Sequence, residues 1–167
     1  AIEQLVRAMK TEPLSIQSYE YAGWIYGERG RHDAAAFWYA QAKQWKPDED
    51  AAQILMGMNL LFQNKPLEAA QQFQAILARH PGNAVAREWL GRSYYEAMLY
   101  DRAIAELERA CVLRANDMRC YLKLADAYRE AGWLEKATVS YQKVLELDPT
   151  NTDAAQALQK LQSGGHK

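Results

Sequence analysis

The sequence predicts an all-α protein, a solenoid of antiparallel helix pairs, and three observations predict it. One small residue returns every 34 positions, as Gly23, Gly57, Gly91 and Ala125. Three further registers keep step with it: Ala35, Ala69, Ala103 and Ala137; the bulky Tyr39, Phe73, Leu107 and Tyr141; and Tyr26, Leu60, Tyr94 and Tyr128. Pro47, Pro81 and Pro149 close three of the resulting units, with Ala115 in that place in the other, and proline cannot continue a helix. A fixed period held without insertion marks supersecondary units that bury their apolar faces only by stacking.

The units run 16–49, 50–83, 84–117 and 118–151, each reading as two helices joined by a short turn. In the first, Gly30 supplies the positive φ that ends a helix, and Asp33 stands where a short oxygen acceptor caps the next. The second carries Gly57 within "LMGMNLL" and places Pro66 in its inter-helix turn. The third holds Gly91 inside "WLGRSYY", with Asp101 at the start of its second helix. A glycine there costs about 1 kcal/mol against alanine; the expected compensation is close helix crossing, with Gly23, Gly57 and Gly91 facing Ala35, Ala69 and Ala103. The fourth reads "MRCYLKLADAYREA", then Gly132, then "LEKATVSYQKVLELD".

The flanks keep the phase. Ala1, Leu5, Ala8 and Pro13 fall where a second helix would place such residues, so 1–14 reads as the second helix of a truncated upstream repeat. Residues 152–162 read as a capping helix or the start of a further repeat, and 163–167 as a disordered tail. The chain therefore reads as a piece of a longer protein.

With these registers quoted, the chain resembles the tetratricopeptide repeat family over nearly its whole length, most closely in "YLKLADAYREAGWLEKATVSYQKVLELDP" (121–149). It departs at Gln53 and Arg87, which replace the usual aromatic of the fourth position, and at Pro66. The resemblance implies a right-handed superhelix whose first helices line a concave groove and whose second helices form the convex face.

Composition excludes several functions. A net charge of −1 supplies no general field for nucleic acid or an anionic membrane, and no apolar run reaches the roughly 18 residues of a span. His32, His80 and His166 are too scattered for a triad or metal cluster, with the first two expected in turns, and no glycine-rich phosphate loop occurs. Neither catalytic group, metal nor cofactor is expected. Asp126 with Glu130 reads as a charge network with Arg129 and Lys123. Cys111 and Cys120 read as buried apolar residues, although a disulfide between them is conceivable in an oxidising compartment. Trp38 and Trp45 are placed between repeats without a role.

The partner site is read by elimination: first-helix positions the core does not need remain for binding. They give Trp24 in the first unit; Ile54, Met58 and Leu61 in the second; Val85, Glu88, Arg92 and Tyr95 in the third; and Leu122, Asp126 and Arg129 in the fourth. "ILMGMNLLFQ" is apolar on nearly every face, where a helix with one buried stripe would be polar opposite it. Contiguous exposed apolar surface marks interaction sites. The expected function is a scaffold binding a peptide segment or helix of another protein in the groove, with Trp24, Ile54, Met58, Leu61 and Val85 as its apolar floor.

One branch of the family captures chaperone tails with a carboxylate clamp that needs Lys and Asn at the fifth and ninth positions of a unit. Here those pairs are Glu20/Trp24, Ile54/Met58, Glu88/Arg92 and Leu122/Asp126, so no clamp is expected. The alternative is an architectural, self-assembling segment of a longer solenoid with no ligand in the groove. Its exposed ends, Ile2, Leu5 and Val6 or Leu158 and Leu161, would then drive self-association.

Overall fold

The structure is a computed structural model and describes residues 16–46 and 49–164. Among the described residues there are nine helices and no strand. They fall into two compact units, one ending at Arg79 and the other beginning at His80. The expected segment 1–14 and the last three residues lie outside the description.

The first unit holds α1 (Ile16–Glu28), α2 (His32–Trp45), α3 (Asp50–Phe62) and α4 (Pro66–Arg79). Each packs on the next, and α1 also touches α3. Tyr19, Ala22, Trp38, Ala42 and Ala52 form a buried cluster with Tyr26 against it, so Trp38 packs between repeats. Trp45 stays half exposed, its ring 6.3 Å from Tyr19. The second unit holds α5 (Ala84–Glu96), α6 (Tyr100–Leu113), α7 (Met118–Glu130), α8 (Leu134–Leu147) and α9 (Thr152–Gly164). Here too neighbours pack in sequence, and α5 touches α7.

The glycines make room, but for different partners from those the sequence suggested. A Cβ on Gly57 would lie 2.7 Å from Phe73 Cε1, one on Gly23 2.6 Å from Tyr39 Cδ1, and one on Gly91 2.6 Å from Leu107 Cγ. The bulky side chain one turn beyond each alanine fills the space; Ala103 contributes only its carbonyl oxygen, 3.3 Å from the Gly91 site. The alanines themselves are fully buried. Large side chains must sit somewhere at the crossing, and the missing Cβ is where they sit.

Each first helix ends the same way. Gly30 and Gly132 have φ of +69° and +80°, as expected, but Asn64 and Met98 take the same left-handed conformation at 57° and 58°. The residue that follows donates its N–H back into the last turn, Arg31 to Tyr26, Lys65 to Leu60, Leu99 to Tyr94 and Trp133 to Tyr128. These bonds satisfy orphan carbonyls.

The capping expectation needs correction. Asp33 and Asp101 lie inside the first turns of α2 and α6, after Arg31 and Leu99, and no side chain caps either helix. An acid in a first turn still opposes the helix dipole favourably. The side-chain caps belong to first helices instead: Asn83, Asp117 and Asn151 accept from the backbone N–H groups of Ala86, Arg119 and Ala154. His32 opens α2 rather than sitting in a turn.

Of the three departures from the family pattern, Pro66 opens α4 as its first residue instead of sitting in the inter-helix turn. That place suits a residue with no N–H to donate. Polar pairs replace the aromatic at the other two. Buried Gln53 donates to the Gln72 carbonyl and accepts from Arg79, which also pairs with Asp50. Arg87 pairs with Glu106 at 2.7 Å and donates to the Pro81 carbonyl.

Candidate interaction faces on the first helices

In the first unit, α1 and α3 bring Trp24 and Met58 together. They line a cleft of about 80 Å³ whose floor is Gly27 and Tyr39 and whose walls include Leu55 and Phe62. Trp24 is 49% exposed and stacks on exposed Tyr21 with centroids 5.8 Å apart. Ile54 and Leu61 are half-buried on α3 outside the cleft lining. Leu55 and Phe62 escaped the reading by elimination, although Phe62 is 69% exposed. The apolar run around them was the signal; the repeat register did not mark them.

Asn59, buried on α3, fixes the cleft's edge. Its amide donates to the His32 carbonyl at 3.0 Å, and its Oδ1 meets the His32 ring Nδ1 at 3.0 Å. The His32 ring lies parallel to Phe62, 6.5 Å away. Burial, followed by the charges of Glu20 and Glu28, pushes the Tyr39 hydroxyl up to about 12. Burial, with Glu49 beside it, also raises Glu20. The cleft is therefore apolar with an acidic margin.

The second unit differs. Val85, on the first turn of α5, is 39% exposed. Glu88 is buried and paired with Arg114 at 2.6 Å, so its charge is already compensated. Arg92 stacks its guanidinium 4.1 Å over the Trp89 ring, and burial lowers its pKa from the ordinary arginine value. Tyr95, half-buried, meets Tyr100 edge-on, with Lys123 5.8 Å from its ring; burial and the charge of Asp126 raise it. Leu122 is half-buried on α7.

Asp126 is not simply solvated. It accepts from the Tyr141 hydroxyl at 2.7 Å and faces Lys123 and Arg129 at 3.7 and 4.0 Å. Arg129 also pairs with Glu130 at 2.8 Å, while its Nε is buried without a hydrogen-bond partner.

Cys111 on α6 and Cys120 on α7 are both buried and joined as a disulfide, with Cα atoms 5.6 Å apart. Beside it, Arg114 bridges Glu88 and Asp117. Burial alone would raise Asp117, but the Arg119 backbone N–H and the Arg114 charge outweigh it and hold the carboxyl below its usual range.

Among the described residues, no group of three or more His, Cys, Asp or Glu is placed to hold a metal, and no helix is long and apolar enough to cross a membrane. Short helices paired through fixed left-handed turns, with apolar and charged side chains left over on the first helices, define a helical-repeat scaffold of the kind that binds other proteins. Tetratricopeptide repeat models match residues 16–49, 54–117 and 119–151, and the chain belongs to the tetratricopeptide repeat family. Proteins of this family are in general scaffolds without enzymatic activity.

Solved structures share the fold at low identity. The thermophilic repeat protein TTC0263 of Thermus thermophilus aligns with a TM-score of 0.81 at 17% identity, over 97% of this chain and 89% of that one. MamA 41-end of Desulfovibrio magneticus RS-1 aligns at 0.79 and 22% identity, over 90% and 85%. The first repeat domain of Spaghetti (RPAP3), solved bound to the HSP90 peptide SRMEEVD, aligns at 0.67 and 23% identity, over 71% and 94%. No curated protein matches the chain in sequence.

Proposed function

We propose that the chain is a protein-interaction scaffold that receives a peptide segment or helix of a partner on its first-helix faces, without a carboxylate clamp. The observation that carries this is the Trp24–Met58 cleft, where two first helices leave an apolar recess walled in part by exposed Phe62, with exposed Tyr21 stacked on Trp24. A partner's apolar side chain seated there removes surface from water at about 25 cal/mol per Å². Methionine adapts to the shape of what it meets, and the Asn59–His32 clamp holds the wall before the ligand arrives. Ile54, Leu61 and Val85 extend the apolar surface of their own units; Glu88, Arg92, Tyr95, Leu122, Asp126 and Arg129 give the second unit a polar face. That repeat proteins of this fold bind peptides is consistent with the peptide complex of the Spaghetti domain.

The test is a double variant, Met58→Asp with Leu61→Asp, assayed by pull-down against the native source's extract and by far-UV circular dichroism. Loss of the captured partner with unchanged helicity supports the reading. Capture equal to the unaltered chain refutes it.

The architectural reading keeps one supporting observation: Val112 and Val139, on the second helices α6 and α8, are 81% and 65% exposed. The end residues first assigned to it do not help, since Leu158 is buried and Leu161 half-buried, while Ile2, Leu5 and Val6 lie outside the described residues. A sedimentation coefficient that rises with concentration, and stops rising in Val112→Lys/Val139→Lys, would favour it.

A further inference from the structure

The first-unit cleft joins two features that a merely apolar recess does not need together. Three rings line it, those of Trp24, Tyr39 and Phe62, beside the thioether of Met58 and the side chain of Leu55. Tyr21 stacks on Trp24 with planes 23° apart, and His32 on Phe62 at 13°. Neither Tyr21 nor His32 lines the cleft, so ring surface that those neighbours leave uncovered borders it. Such faces carry negative potential. The second feature is acidic. Glu28 lines the same cleft, and no lysine or arginine does. Among the described residues Glu28 forms no ion pair. Glu20 and Glu28 stand four residues before and after Trp24 on α1, hence on its face of the helix. The Glu20 Oε1 is buried without a hydrogen-bond partner. Lys46 acts on Glu20, but less than Glu49 does, so the balance there stays negative. After burial, the charges of Glu20 and Glu28 both act on the Tyr39 hydroxyl, with no cation opposing them. Arg31 is stacked over the Tyr26 ring, 5.1 Å from its centre, and lies outside the lining.

We propose that the Trp24–Met58 cleft is a site for an alkylammonium group, its methyl or methylene surface against Trp24, Tyr39 and Phe62 and its charge balanced by Glu28, with Glu20 adding to the field. This deepens the reading of the cleft as the binding recess and rests on it. Charge complementarity selects the ligand. A neutral aliphatic group would satisfy the rings and the thioether but leave the carboxylates without a counter-charge. A small inorganic cation would satisfy the carboxylates but keep its hydration shell, and so gain nothing from the rings. An alkylammonium is a cation with an apolar surface, the kind of ligand that aromatic faces attract. At about 80 Å³ the recess takes a compact head group, and the rest of the ligand lies outside. A lysine side chain, methylated or not, and a free quaternary ammonium compound share that chemistry.

The experiment titrates the full, isotope-labelled chain with choline and with 3,3-dimethylbutan-1-ol, its neutral carbon isostere, and follows backbone and indole N–H shifts by NMR. The indole signal missing from Trp24→Leu identifies Trp24. Choline should shift Trp24 and its neighbours in the cleft, and the isostere should bind at least about tenfold more weakly. Added salt should weaken choline and spare the isostere. Glu28→Gln, at an exposed position, should weaken choline severalfold and leave the isostere alone; Trp24→Leu should weaken both. Circular dichroism checks that each variant keeps its helicity. A capped glycine pentapeptide with trimethyllysine at its centre separates the sources. Tighter binding than choline assigns the group to a polypeptide and weaker binding to a free small molecule, and either supports the site. Equal affinity for choline and its isostere, choline binding indifferent to Glu28→Gln, or shifts confined to residues outside the cleft overturns the proposal. No binding by choline or the peptide overturns it too. Partner capture that still depends on Met58 and Leu61 would then show that the recess survives and only its preference for a cation has failed.

Discussion

Two glycine-to-alanine changes in one unit should move stability in opposite directions. An alanine in place of a helical glycine gains up to about 1 kcal/mol from backbone and propensity terms. At Gly27 the new methyl would find Ala35 Cβ at 3.9 Å and the Tyr39 hydroxyl at 4.0 Å, ordinary contacts, so Gly27→Ala should keep most of that gain. At Gly57 the methyl would lie 2.7 and 2.9 Å from Phe73 Cε1 and Cε2. Phe73 is fully buried, and a rigid ring cannot fold away as a flexible chain end would. Overpacking of this kind costs about 1–3 kcal/mol, so Gly57→Ala should lose about 1 kcal/mol net. The two variants would differ by about 2 kcal/mol, or roughly 1 M in urea midpoint at an ordinary m-value. Urea titration followed by circular dichroism reads this directly. Phe73→Leu closes the cycle: with the ring gone, Gly57→Ala should cost less than in the unaltered chain, a coupling of about 1 kcal/mol. A Gly57→Ala midpoint as high as that of Gly27→Ala would refute the steric reading.

Three further outcomes follow from particular residues. Met98 holds a positive φ with a side chain 75% exposed, so Met98→Gly should stabilise by about 1 kcal/mol, read as a higher urea midpoint. Cys111 and Cys120 are nine residues apart in sequence, and closing so short a loop contributes about 3 kcal/mol by the chain-entropy relation; Cys111→Ala/Cys120→Ala should lower the melting temperature, and reductant should then have no further effect. Tyr39 is held protonated up to about 12 by burial, and Tyr128 and Tyr141 are raised by burial and by hydrogen bonds to Glu108 and Asp126. Groups raised in the folded state contribute stability that is complete below their unfolded value near 10 and fades as pH climbs through the folded one. The melting temperature should accordingly fall above pH 10, and less steeply in Tyr39→Phe.

The repeat was legible because it is written in residue size: a 34-residue period of small and bulky side chains is a one-dimensional record of helix crossings. The same record misled at one point. Gly91 and Ala103 are both small, which suggested that they face each other, whereas the space beside Gly91 belongs to Leu107. Small residues mark a crossing without saying which atom occupies it. Helix ends were legible where glycine marks them; Asn64, the residue next most at home in the left-handed region, was a signal passed over, and Met98 takes the same turn with no such signal in its side chain.

The candidate faces were half legible. Register found Trp24 and Met58 because they stand on the first helices at positions the core leaves over. It passed over Leu55 and Phe62, which reach the cleft from positions it assigns elsewhere. It also placed Glu88 among free groups, because the Arg114 that compensates it lies 26 residues away in sequence. Charge pairing across helices depends on side-chain reach, which no period records.

Photo-crosslinking from defined positions tests most directly the claim that the first helices are the binding surface. A benzoylphenylalanine placed at Met58 or Tyr95 should join the chain to its partner under illumination in the native source, whereas one at Val112 or Val139, equally apolar positions on second helices, should not. Crosslinks from Val112 and Val139 with none from Met58 and Tyr95 would contradict the account.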